Sequence, residues 1–239
     1  MKPRKVGQIP AKAEVVAQEA FKTGPLDPCF AEAQSGQRVV FFMEAAHFVL
    51  APFLGLGWCF EWLFVKAPSG RQRFNVLAAL NATTRDIFTV TNLTYITSET
   101  VCALLRLLAG AHPGVSITIV LDNVRSQRCA LVQSVAQNLG IALLFWPPYS
   151  PNLNLIERFW KFVTKTCLYA KYYADAVAFQ HAIIACIEQS STTYRKELAS
   201  LLPLKFQTCK EVQVLGEASN ICLFPVVKKA KRKVSSKAA

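Results

Sequence analysis

The chain runs to 239 residues, enough for one substantial core with extensions. Hydrophobic residues make up 52% of it and charged residues 18%, a balance that excludes a disordered chain. Its 27 Lys and Arg against 15 Asp and Glu give a formal charge of +12, which argues against a cationic partner and for a polyanionic one: nucleic acid first, an anionic membrane surface second.

Residues 1–36 mix charge with Pro10, Pro25 and Pro28 around a short helical stretch near Glu14 to Phe21, and read as a basic arm or linker. Arg38 to Glu44 is a continuous apolar run of the kind found in a buried strand, and further strands are expected at Trp58–Lys66, Phe74–Leu80 and Ile87–Thr91. Val39 to Val65 is apolar enough to suggest a membrane span. Glu44 and Glu61 interrupt it, and the interval between them holds His47, Pro52, Gly55 and Gly57, short of the roughly 20 clean apolar residues that a spanning helix needs.

From Ser98 the period changes. Ser98 is the expected cap of a helix carrying Val101, Leu104, Leu105 and Leu108 on one stripe and ending at Pro113-Gly114. Ile117–Leu121 reads as a short buried strand, Ala130–Leu139 as a helix stopped by Gly140, Ile141–Phe145 as a strand, and Ala174–Gln189 as a second helical region. Strands first, then alternating helices and strands, predict an α/β fold: a mixed sheet flanked by helices on both faces. The eight cysteines form no Cys-x-x-Cys pair and are expected to be reduced, mostly buried thiols of a cytoplasmic protein, since the basic start lacks the apolar core of a signal peptide.

Three carboxylates carry the chemistry. Glu44 and Asp122 each follow an apolar run, and Glu157 opens a helix with 34 residues between it and Asp122. Groups at the carboxyl ends of strands are held by the core and face outward. Three acids meeting there repel one another unless cations neutralise them. Mg2+ or Mn2+ suits such oxygen ligands, and two ions would support in-line displacement at phosphorus. Each residue also has a plainer explanation. Asp122-Asn123 is ordinary turn chemistry, and Asn154-Leu-Ile-Glu157 matches a helix capping box. His47, three residues after Glu44, has no suitable companions for zinc and reads as a hydrogen-bonded, half-buried imidazole close enough in sequence to orient a ligand or DNA.

Taken together, Asp122-Asn123, the 34-residue gap and Pro147-Pro-Tyr-Ser-Pro-Asn-Leu-Asn-Leu-Ile-Glu-Arg-Phe-Trp160 resemble the Tc/mariner superfamily of DDE transposases, in particular its bacterial insertion-sequence branch. Phe41 to Phe48 is similar to that branch's first catalytic strand and Arg73 to Leu80 to its second, so the resemblance spans roughly residues 36–190. It implies an RNase H-like fold, with residues 37–190 as the DDE catalytic domain and 191–239 as a C-terminal extension with a basic tail. It also implies metal-dependent cutting of DNA at transposon ends and strand transfer into target DNA, with Glu44, Asp122 and Glu157 as catalytic metal ligands. Family members have Asp where this chain has Glu44, and the extra methylene moves the carboxylate by about 1.5 Å. Helix-turn-helix DNA-reading modules usually precede the catalytic domain, and a 36-residue arm is too short for them. The expected partners are therefore DNA, a separately encoded helix-turn-helix protein and a second copy of the chain, without a membrane, in a cytoplasmic or, in a bacterium, nucleoid setting. The alternative expectation is a catalytically inactive, DNA-binding remnant.

Arg125 and Arg128 follow Asp122, and Arg158, Lys161 and Lys165 follow Glu157 at helical spacings; all five are expected to contact DNA phosphates, the plainer option being solvated surface charge. Lys228 to Lys237 can add nonspecific affinity. Phe159, Trp160 and Phe162 are expected to pack the helix on the sheet.

Overall fold

The computed structural model describes residues 14–51, 60, 64, 66, 72–150, 153–204 and 206. The expected strand at Trp58–Lys66, the first residues of the arm and the basic tail lie outside the described residues, wholly or for the most part.

Five strands, β1 (Arg38–Val49), β2 (Arg73–Asn81), β3 (Ile87–Asn92), β4 (Ser116–Leu121) and β5 (Ile141–Phe145), form one sheet in the order β3-β2-β1-β4-β5. β1 runs antiparallel to β2 and parallel to β4; β2 and β3 are antiparallel, β4 and β5 parallel. This is the mixed sheet expected from the order of elements. The central strands read as unbroken apolar runs because both faces are covered by helices, which leaves no solvated side to alternate toward.

Even-numbered residues of β1 face one layer. Phe42 and Phe48 pack there with Val76, Ala78 and Leu80 of β2 and Val120 of β4, beneath α2 (Asp27–Gln34), α6 (Leu155–Val163), α7 (Ala176–Glu188) and α8 (Arg195–Leu201). Odd-numbered residues face the other layer. Phe41 and Met43 pack with Leu77, Ile119 and Leu121 beneath α3 (Ser98–Ala111) and α5 (Ala130–Asn138). α3 turns Val101, Leu104, Leu105 and Leu108 inward, the stripe expected from their spacing. Within residues 14–36, α1 (Val15–Phe21) passes through a π-helical turn containing Pro25 into α2, whose Phe30 and Ala33 join the first layer with Leu26. Leu198, Leu202 and Phe206 do the same from the other end of the described chain.

Three local expectations need correction. Glu44 does not end its strand: β1 continues to Val49 because β2 pairs with it as far as Val49↔Arg73, whereas its parallel neighbour β4 stops at Met43↔Leu121. Ser98 does not cap α3. Thr97 does, its side chain accepting from Thr100 N while Thr100 Oγ1 accepts from Thr97 N, and Ser98 is the first helical residue. The third concerns the capping box at Glu157. α6 begins at Leu155 with Asn154 as its N-cap, and no side chain caps it. A four-residue helix, α4 (Arg125–Arg128), and α8 have no counterpart in the sequence reading.

Among the described residues no helix is long and apolar enough to cross a membrane. The described cysteines, 29, 102, 129, 167 and 186, are free thiols, and Cys102, Cys167 and Cys186 are buried.

Candidate active site

The strand register assembles the first two acids. Met43 pairs with Leu121 in the parallel β1–β4 ladder, so Glu44 and Asp122 occupy the next position on adjacent strands, about 4.8 Å apart in backbone spacing. Both follow odd-numbered core residues and therefore project to the even-numbered face, the one that α6 covers. α6 is held there by Leu155, Ile156, Phe159, Trp160, Phe162 and Val163, six buried residues out of nine, with Trp160 against Phe48 at 5.9 Å between ring centroids. Glu157 lies in the first turn of that helix, where its charge is also favoured by the helix dipole.

Glu44 and Glu157 sense the neighbouring negative charge. Burial pushes the Glu44 carboxyl up to about 7, and the charges of Glu157 and then Asp122 act in the same direction, with Lys161 opposing them. Glu157 is raised as well, first by burial, while Lys161 lowers it and Asp122 adds to the rise. Glu44, Glu157, Trp160, Lys161, Thr164 and Tyr169 contribute to the lining of an open pocket of about 380 Å³. Lys161 Nζ stands 3.7 Å from Glu157 Oε2 and is 78% exposed, so the pair is a weak surface bridge and not a fixed neutralising contact.

Asparagines hold the acids in place. Asn154, 7% exposed, donates from Nδ2 to Glu44 Oε2 at 3.2 Å. Asn123 donates its backbone N–H to Asp122 Oδ1 at 2.6 Å, and its side-chain amide donates to the Trp146 carbonyl, which ties the start of the Pro147 loop to the end of β4. The turn chemistry expected at Asp122-Asn123 is therefore present, and it fixes the acid's backbone without hiding the acid, which is exposed. Asn154 was legible only as a helix cap; its place directly before the Leu-Ile-Glu157 segment was the available signal.

His47 stands apart. It touches the pocket rim, yet its ring lies on the odd-numbered face, Nδ1 2.7 Å from Asn75 Oδ1. Asn75 is buried and its amide donates to Asn92 Oδ1 at 3.0 Å and to the Thr94 carbonyl at 2.8 Å. The imidazole is hydrogen-bonded as expected, but it is exposed and turned away from the acids by strand alternation.

The five expected phosphate contacts divide. Arg125 and Lys165 are exposed, and Lys161 is exposed beside Glu157. Arg128 is exposed but engaged, donating to Asn123 Oδ1 at 3.1 Å with its guanidinium 5.3 Å from the centre of the Phe145 ring. Arg158 is half-buried and directed to the C-terminal side, donating to the Pro203 carbonyl at 3.3 Å and lying 6.0 Å from the centre of the Phe206 ring.

The donor set fits a hard divalent cation. Three carboxylates supply oxygen, burial and neighbouring negative charge raise two of them, and among the described residues the buried Asn154 Oδ1 has no partner. Among the described residues no three His, Cys, Asp or Glu side chains converge on a single point. Mg2+ does not require this: it is usually held by one or two carboxylates, the rest of its shell being water and phosphate oxygens.

Comparison with known proteins was made against this geometry. Residues 63–180 match the family described as DDE superfamily endonuclease, a span that includes Asp122 and Glu157 and begins after Glu44. Among solved structures, the fold is similar to a Mos1 mariner paired-end complex with Mn (TM-score 0.56, 12% identity) and to a Mos1 transposase paired-end complex with left transposon end (0.55, 12%), each match covering 86% of this chain and 68% of the other. The Mos1 strand transfer complex matches at a TM-score of 0.52 and 13% identity, with the same coverage. No curated protein matches. The likeness establishes the RNase H-like fold.

Proposed function

We propose that this chain, whose residues 63–180 match the DDE superfamily endonuclease family, is a transposase catalytic domain that cuts DNA at transposon ends and joins it to target DNA. The observation that carries the reading is that Glu44 and Asp122 occupy neighbouring positions on one face of the sheet beneath α6, with Glu157 and Asp122 both raising Glu44 and Asp122 raising Glu157. The Mos1 structures contain transposon-end DNA and, in two cases, Mn or Mg, and they support the same substrate class and cation for this chain.

Glu44, Asp122 and Glu157 would hold two divalent ions, Mg2+ or Mn2+. Such ions, when bound, activate a water or a 3′-hydroxyl and stabilise the leaving oxygen of an in-line displacement. The residues of the chain do the rest. β1 and β4 fix the separation of two acids, α6 brings the third over them, and the buried aromatic packing of α6 prevents the cluster from relaxing apart. Lys161, Lys165 and Arg125 project into solvent around the site, where they can neutralise backbone phosphates without reading sequence. Arg128 and Arg158 support the site from their contacts with Asn123 and Pro203. The inactive-remnant alternative is not favoured, since all three positions retain a carboxylate and the family match covers two of them. DNA reading by a separate helix-turn-helix protein and pairing with a second copy remain part of the proposal.

The test is nicking of transposon-end DNA in Mn2+ or Mg2+. The wild type should cut, chelation should stop it, and Asp122→Asn should lower the rate at least 100-fold with an unchanged melting temperature. Equal cutting by Asp122→Asn would overturn the assignment.

A further inference from the structure

Asn154 occupies the N-cap of α6, a position where asparagine normally bonds to a free helix N–H. Here it makes no such bond. Its Nδ2 is directed 3.2 Å to Glu44 Oε2 on a different element, 110 residues away in the chain, and its Oδ1 is buried without a partner among the described residues. Two local rules are broken at one residue, and its amide donates into the acidic cluster. Departures of this kind are expected where function overrides local preference.

We infer that Asn154 is a positioning residue that clamps the Glu44 carboxylate in its cation-binding orientation, and that the clamp is matched to glutamate, not aspartate, at position 44. The argument is one of reach. Glu44 carries its carboxylate one methylene further from β1 than Asp would, and with the longer side chain comes an additional rotatable bond whose freedom loosens the ligand. The Asn154 amide stands where that longer arm ends. An ionised carboxylate only accepts hydrogen bonds, so the amide must present Nδ2 to it, which leaves Oδ1 toward the site as an acceptor for water. Partners that orient ligands in this way typically contribute 10- to 100-fold to metal affinity.

The inference rests on the proposed cation site, and Mn2+ titration of the full chain, followed by calorimetry without DNA, separates the two. In wild type, Mn2+ should bind, and Asp122→Asn should weaken it. Asn154→Ala should weaken Mn2+ on the order of 10-fold with Glu44 present, but by less than about two-fold in the Glu44→Asp background, because an aspartate does not reach the amide. Asn154→Ser, which keeps a small polar side chain at the helix start, should behave like Asn154→Ala and serves if that variant does not fold. Mn2+ binding that is lost in Asp122→Asn but unchanged by both Asn154 variants would overturn the clamp and leave the cation site standing. An equal loss in both backgrounds would likewise overturn it, since Asn154 would then act without Glu44. No Mn2+ binding by wild type would overturn both.

Discussion

At Glu44, a proton would compete with the proposed cation for the same two oxygens. The carboxyl titrates near 7, against 4.5 for an unperturbed glutamate, chiefly through burial and then through Glu157 and Asp122. A folded-state value above the unfolded one means that the native state holds the proton more tightly. The associated stability is complete below about 4.5 and is lost as pH rises through about 7. In the cation-free protein, the melting temperature of wild type relative to Glu44→Gln should therefore fall between pH 5 and pH 8, as measured by thermal denaturation in chelator. Mn2+ affinity should move the other way, rising with pH until the proton is gone and then levelling, because binding releases it. A flat stability difference across that range would mean that Glu44 is not buried against its neighbours. The same residue shows what sequence could reveal. Its acidic character and place after an apolar run were visible; its hydrogen bond to Asn154 was not, because it joins residues 110 apart.

The elements were legible in proportion to how far each depends on its own residues. β5 appears at the expected Ile141–Phe145, and the core stripe of α3 follows directly from helical spacing. β1 is longer than its apolar run because β2, which sequence cannot place beside it, continues to pair after β4 has ended. Thr97 and Ser98 are both good caps, and only backbone geometry distinguishes them. α4 has four residues, too few for any periodicity. α6 was readable from its aromatic residues, and it is the element on which the third acid depends. Phe159 is fully buried within it, in ring contact with Trp160 at 5.3 Å and Phe162 at 6.4 Å. Phe159→Ala should cost about 3–5 kcal/mol in chemical denaturation. Below its melting point this variant should also bind Mn2+ more weakly, as Glu157 loses its support. Stability within about 0.5 kcal/mol of wild type would show that α6 is not anchored by this packing.

For the whole molecule, the net charge of +12 would govern how the proposed DNA substrate is found. Binding should weaken steeply with salt, each phosphate contact contributing about 0.9 to the slope of log K against log salt. Arg125→Ala, at an exposed position beside Asp122, should reduce that slope by about one contact. Arg158→Ala should leave the slope unchanged and lower stability instead, because its guanidinium already serves Pro203 and Phe206. Fluorescence anisotropy across a salt series separates the two, and equal slope changes would refute the division. Fold class could be read at this scale because layer architecture follows from the order of elements, whereas the burial of Phe30 and Phe206 against the first layer depends on a ring contact between residues far apart in the chain.

The alternation of β1 gives the site an odd-even rule. Glu44 faces α6 and His47 faces Asn75 only because their positions differ in parity. Removing one residue between Arg38 and Glu44 would carry the acid through the sheet to the α3 side and turn its odd-numbered neighbours toward Asp122. Removing two would return it to the correct side, one pleat out of step with β4. An exchange in kind, as aspartate for glutamate, alters the reach of the acid but keeps it on its face of the sheet, whereas a one-residue change in count does not.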